Sequence, residues 1–192
     1  QPWQVTEAQQ ESLAQSLQER YFLSSGNNLA TTLEALAAQQ AAEYWDNFRY
    51  DILGIVDGSL LEEYDDLNIG LIFCDAAQAS IAYTLMNRCG LAPDNYMDSQ
   101  DFRSVYQFDS PDAVTALGTA VSRISQDVLR DIERHIKQTE RERSAERTEN
   151  ARDELHPDGR LPDSGHQPER GERGTVGQVR TDAPDIPQGA PG

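Results

Sequence analysis

The chain of 192 residues carries 33 acidic side chains against 16 Lys and Arg, a net charge of −17, and 38% hydrophobic residues. That length and apolar content predict one modest core plus a tail, and the acid excess excludes the clustered cations that a phosphate array demands of a nucleic-acid binder. The excess is uneven, with eighteen acids against four arginines over residues 1–122 and five acids against six bases over 123–145.

The sequence opens at Gln1 without an initiator Met. No charged start leads into an apolar stretch, so a piece of a longer chain without a signal peptide is expected. No uninterrupted apolar run approaches the roughly 18 residues of a membrane span, which predicts a protein that does not engage the membrane. Cys74 and Cys89 are 15 apart with no C-x-x-C. On one continuous helix they would stand about 22 Å from each other, so reduced, buried thiols and a cytoplasmic location are expected.

In chain order, Thr6-Glu7-Ala8-Gln9 is a Thr-x-x-Gln capping box, followed by Leu13, Leu17 and Tyr21 at spacings of four. This predicts an amphipathic helix ending near Ser24-Ser25-Gly26. A second helix begins at Asn28, with a stripe running from Leu29 through Leu33, Leu36, Ala37 and Ala41 to Ile52 and with Tyr44, Trp45 and Phe48 as core aromatics. Asp57-Gly58-Ser59 ends it, Ser59-Leu60-Leu61-Glu62 is a second capping box opening a short helix, and Asp65-Asp66-Leu67-Asn68 caps the next.

That third helix, about Asn68 to Cys89, presents Phe73, Ala77, Ile81, Thr84 and Leu85 on one face among the small residues Ala76, Ala79, Ser80 and Ala82, which marks it as central. Gly90 supplies its C′ cap and Pro93 stops it. A connector with one short helix around Ser99 to Tyr106 leads to Ser110-Pro111-Asp112, an N-cap with an N1 proline. Val114, Leu117, Val121, Ile124, Val128, Ile132 and Ile136 then form a stripe predicted to pack on the small-residue face of the third helix, and the segment beyond continues as polar helix or frayed coil.

From Glu146 onward the sequence holds six Pro, seven Gly and no aromatic, a composition that cannot offset chain entropy. The elements together predict an all-α fold: a small irregular helical bundle of about four to five helices over residues 1–145, with a disordered Pro/Gly-rich linker or tail over 146–192.

Six carboxylates lie between Asp51 and Gly70. An EF-hand starting at Asp66 fails, because its sixth position is Leu71 and its twelfth Ala77. His135, His156 and His166 lie at the end of the last helix or in the tail, so neither H-E-x-x-H nor a histidine-based catalytic pair is expected in the folded part. There is no P-loop and no Gly-x-Gly-x-x-Gly. Catalytic, cofactor-binding and metal residues are therefore expected to be none. The alternative is a divalent-metal site on Asp57, Glu62, Asp65 and Asp66, with Glu63 beside them, or acid/base use of the Glu62/Asp66 pair.

The strings SIAYTLMNRCGLAPDNYMDSQDF, FDSPDAVTALGTAVSRISQDVLRDIE, GRLPDS and VRTDAPDIPQGAP, with EYWDNFRYDILGIVDGSLLEEYD before them, resemble a helical segment of very large DNA-processing proteins of conjugative transposons and related mobile elements in Gram-positive gut bacteria. Those proteins join an antirestriction-type single-stranded-DNA-binding region to SNF2-like helicase and DNA methyltransferase modules. None of these strings is a catalytic motif. The element Ala79-Ser80-Ile81-Ala82-Tyr83 also resembles the Glu-Ser-Val-Ala-Tyr element of antirestriction-associated zinc peptidase domains, but Ala77, Gln78 and Ala79 stand where acids precede the serine.

The resemblance implies a non-catalytic helical interaction or spacer module of a mobile-element DNA-processing or antirestriction protein. Its partners would be protein, or other domains of the parent chain, with no direct contact to nucleic acid. A degenerate metal-dependent enzyme using the acids at 57–66, and an acidic mimic of DNA, are the alternatives.

Overall fold

The computed structural model describes residues 2–3, 5–24 and 26–155. Among them are four α-helices, α1 (Glu7–Tyr21), α2 (Leu29–Leu53), α3 (Asp66–Arg88) and α4 (Pro111–Leu155), three short 3-10 helices and no strand. The fold is all-α. The chain divides into two compact units, Gln1–Ala151 and Arg152–Gly192. The sequence places that boundary at 145/146, and α4 instead continues as helix through Glu146 to Leu155. The remainder of the expected tail, 156–192, lies outside the described residues.

Each α-helix begins at a polar residue engaged in local capping hydrogen bonds. Gln9 Oε1 accepts from the Thr6 N–H at 3.0 Å and the Thr6 hydroxyl at 2.9 Å. Asn28 Oδ1 accepts from the Thr31 N–H at 2.9 Å, Asp65 Oδ1 from the Asn68 N–H at 2.9 Å, and Ser110 Oγ from the Ala113 N–H at 3.2 Å. α3 ends in a Schellman motif: Leu91 N–H donates to Met86 O at 3.0 Å and Gly90 N–H to Asn87 O at 3.2 Å. Gly90 has φ +77, and a Cβ there would stand 2.5 Å from Trp3 O, so only glycine fits the turn. Trp3 is held by its N–H to Arg88 O at 2.8 Å, with the Arg88 guanidinium 4.9 Å over its ring.

α3 is central. Ile69, Gly70, Phe73, Ala76, Ala77, Ala79, Ile81, Ala82, Leu85 and Met86 are all buried, more of its circumference than the single face expected. α2 runs antiparallel to it, and its Trp45 indole lies over Gly70, where an added Cβ would meet the ring at 2.7–2.9 Å. Phe73 is fully buried at the middle of an aromatic cluster, with ring centroids 6.0 Å from Tyr44, 5.7 Å from Trp45 and 6.3 Å from Phe108. Tyr44, Trp45 and Phe48 themselves are half-buried and pack against the core instead of lying within it.

The connector returns along α3 through the 3-10 helices Pro93–Asn95 and Arg103–Gln107, where the sequence suggests one short helix at Ser99 to Tyr106. Tyr83 meets Phe102 edge-on at 5.7 Å and Phe73 meets Phe108, so α4 starts level with the start of α3. The buried stripe of α4 is Ala113, Leu117, Ala120, Ile124, Val128 and Ile132. Val114, expected in that stripe, is 54% exposed, and Val121 and Ile136 are half-buried. The α4 stripe joins α2 and α3 in one hydrophobic core.

An 18-residue window of α3 has a mean hydropathy of 1.4, so by length and composition this helix is apolar enough to cross a membrane. Counting uninterrupted apolar runs misses this, because Asp75 divides the run. In the fold 56% of the window is buried against other helices, the burial expected of a core helix.

Gly70→Ala forces the Trp45 ring away from α3 and is expected to cost about 1–3 kcal/mol, lowering the melting temperature by roughly 2–4 °C per kcal/mol. Thermal unfolding followed by tryptophan fluorescence checks this, and an unshifted transition would show that α2 and α3 are not closely apposed there.

Candidate functional site

The structure disperses the acids of the 51–70 stretch. Glu62 Oε2 accepts from the Gly58 N–H at 2.9 Å and fastens a left-handed turn in which Gly58 has φ +73. Asp65 accepts from both the backbone and side-chain N–H of Asn68, at 2.9 and 3.0 Å, and Asp66 sits in the first turn of α3, where a negative charge complements the helix dipole. Asp51, Asp57 and Glu63 are exposed. Among the described residues no three His, Cys, Asp or Glu side chains group to hold a metal ion. The set Asp57, Glu62, Asp65 and Asp66 is thus not brought together as a metal site.

The capping box expected at Ser59 to Glu62 is shifted. Ser59 Oγ accepts from the Leu61 N–H at 3.2 Å, but Glu62 reaches back to Gly58 and not to Ser59. The helix there is the tight 3-10 segment Leu60–Glu63, and its leading N–H, on Leu60, is taken by Asp109 Oδ1 at 2.8 Å from the far end of the connector.

Ser80, the serine of the peptidase-like element, donates to Ala76 O at 2.8 Å within its own helix, between buried Ala79 and Ala82. A hydroxyl bonded back to the i−4 carbonyl is part of the helix surface and is not activated as a nucleophile.

His135 Nε2 lies 3.2 Å from Ser12 Oγ across the α1–α4 seam, a contact between helices that the sequence does not announce. A catalytic Ser–His pair needs a group orienting the second ring nitrogen and donors for an oxyanion. Among the described residues no carboxylate bonds that nitrogen. One helical turn earlier on α4, Asp131 is engaged elsewhere: Arg20 Nε at 2.6 Å, the Tyr21 hydroxyl at 2.8 Å and Arg134 Nη1 at 2.7 Å. These contacts tie α1 to α4. They were invisible in the sequence because the partners are more than a hundred residues apart, and no local motif sets the register of the two helices.

A groove of about 400 Å³ lies between α2, α3 and the connector, floored by Ala79, Ala82 and Met97 and edged by Glu34, Asp75 and Asp101. Partial burial, helped by the charge of Asp101, raises the Glu34 carboxyl above its ordinary range. Burial pushes the Cys89 thiol up to about 12, and burial with the charges of Asp75 and Asp46 pushes Cys74 up to about 11, which disfavours the thiolate at both. Both are free, with Cys89 buried as expected and Cys74 only half-buried.

Two outcomes follow for these groups. Titration calorimetry with Mg²⁺, Mn²⁺, Ca²⁺ and Zn²⁺ is expected to show nothing tighter than about the millimolar end of calcium modules. Asp65→Ala should cost about 1 kcal/mol of stability through loss of the α3 cap, equally with and without divalent metal. For Tyr21, burial and then the Asp131 hydrogen bond raise the hydroxyl from the ordinary 10 to about 12. Its folded pKa lies above the unfolded one, so its contribution to stability is complete below pH 10 and is lost as the pH rises towards 12. Near-ultraviolet absorbance should show Tyr21 titrating late, and Asp131→Asn should move it lower without abolishing the shift, because burial is the larger cause.

Comparison with protein-family models, with curated proteins and with solved structures finds no match to this chain.

Proposed function

We propose that this chain is a non-catalytic α-helical interaction module of a larger DNA-processing or antirestriction protein of a mobile element, acting in the cytoplasm on protein partners or on other domains of its parent. The observation that carries the reading is the placement of its chemistry-bearing side chains. Asp65 and Glu62 cap or fasten backbone, Ser80 bonds its own helix, and His135, Ser12 and Asp131 tie α1 to α4. Large apolar side chains meanwhile stand in solvent, with Leu67 73% and Leu60 and Leu71 each 58% exposed. Exposed apolar surface rimmed by polar groups marks protein contact sites. The mobile-element context rests on the sequence resemblance alone.

The same leucines weigh against a mimic of DNA, whose surface would offer carboxylates at phosphate spacing without aliphatic groups between them. The test of context is the reading frame on either side of the coding sequence. In-frame helicase or methyltransferase motifs downstream are expected, and a frame without them contradicts the assignment. The test of partner class is a mobility shift with single- and double-stranded DNA at physiological salt, where non-specific binders reach about 10⁻⁴ to 10⁻⁶ M. No shift is expected, and salt-sensitive micromolar binding would overturn the exclusion of nucleic acid.

A further inference from the structure

The most anomalous surface is the end of the bundle formed by the turn between α2 and α3. Every residue from Glu62 to Asn68 is exposed, and within this region Leu60, Tyr64, Leu67 and Leu71 stand in solvent among Asp57, Glu62, Glu63, Asp65 and Asp66. Leu67 and Leu71 lie one helical turn apart on the outer side of α3, while Gly70 and Phe73 face the core. Leu60, Tyr64, Glu62 and Glu63 line a shallow depression. Gln107 lines it too.

The charge balance specifies the partner. Between Arg49 and Arg88 the sequence contains no Lys, Arg or His and seven carboxylates. The ion pairs formed among the described residues, Arg20–Asp131, Arg130–Asp127, Arg134–Asp131 and Lys137–Glu133, lie on α1 and α4 and leave these carboxylates uncompensated. Arg49 folds over its neighbour Tyr50, 4.8 Å from the ring and donating to its hydroxyl at 3.0 Å. Fixed negative charge around exposed aliphatic groups attracts cationic polypeptide, repels anionic lipid and nucleic acid, and repels the same face of a second copy. Leucines one turn apart match the apolar stripe of a helix better than an extended strand.

We propose that this end of the bundle is the docking surface for a basic amphipathic helix, whose aliphatic stripe covers Leu60, Tyr64, Leu67 and Leu71 and whose Lys or Arg side chains meet Glu62, Glu63, Asp65 and Asp66. The inference rests on the interaction-module reading and names the chemistry of its partner.

The test uses the full chain and three synthetic peptides: an amphipathic Leu/Lys helix, its Leu/Glu counterpart, and the Leu/Lys composition scrambled to destroy the stripe. Fluorescence anisotropy is expected to show salt-sensitive binding of the amphipathic Leu/Lys helix alone. Leu67→Ser with Leu71→Ser, and separately Glu63→Gln with Asp66→Asn, should each weaken it by about tenfold or more while lowering the melting temperature by no more than about a few degrees, since none of these side chains is buried. The proposal is overturned if the scrambled or acidic peptide binds equally well, if neither double variant weakens binding, or if no peptide binds. It is also overturned if sedimentation shows self-association abolished by the Leu67/Leu71 variant, which would make a second copy the occupant. In those cases the broader module reading still stands or falls on the flanking frame, which peptide binding does not touch.

Discussion

The close approach of α2 to α3 at Gly70 is the constraint on which the rest of the bundle depends. With the Trp45 indole where a Cβ would be, any residue larger than glycine at 70 has to displace that ring from α3. Close apposition at this point sets Tyr44 and Trp45 around Phe73, and the connector then completes the cluster with Phe108 from the opposite direction. A helix that buries Ala76, Ala77, Ala79 and Ala82 as well as Phe73, Ile81 and Leu85 is covered over much of its circumference and open along the outer side that carries Leu67, Leu71 and Asp75. The small residues let neighbours come near, and the large ones fill what remains.

That enclosure dictates where polar chemistry can reside. Carboxylates are excluded from the buried face of α3 and lie on outer helix faces, as Asp75 does, at helix ends, and on the seam between α1 and α4. At the ends they hold N–H groups of Asn68, Gly58 and Leu60. On the seam Asp131, with only 13% of its side chain exposed, accepts from Arg20, Tyr21 and Arg134. Removing a partner there leaves a shielded charge uncompensated, a larger loss than an exposed pair represents. What the bundle leaves to solvent on its acidic end is a mixture of carboxylates and leucines.

The features legible in sequence were those set within a few residues. The caps at Thr6, Asn28, Asp65 and Ser110 and the glycine stop at Gly90 follow from local hydrogen bonding, and all are present. Hydropathy ranks valine above alanine, so the sequence pattern points to Val114 in the α4 stripe. Packing chose Ala113 and Ala120, which are buried where α4 meets the core, and left Val114 in water. The half-burial of Trp45 and Phe48 was missed for a related reason: an aromatic can lie flat across a seam, covering its neighbours while keeping one face in water. The pairing of Ser12 with His135 depends on how α1 crosses α4, which no spacing within either helix encodes. The exposure of Leu60, Leu67 and Leu71 was hidden as well, because an apolar residue in a helical pattern reads as core until the neighbouring helix is placed.

The central claim is that α3 is the enclosed hub and the acidic turn before it an exposed surface built upon that hub. Amide hydrogen exchange of the full chain tests it most directly. Residues Ile69 to Met86 should exchange slowest, at the rate of global unfolding, while the amides of Asp57 and of Asp65 to Leu67, at the turn and the first turn of α3, exchange fastest within the 50–90 region. A chain whose slowest amides lay in α4 with α3 opening independently, or whose acidic turn was as protected as α3, would contradict it.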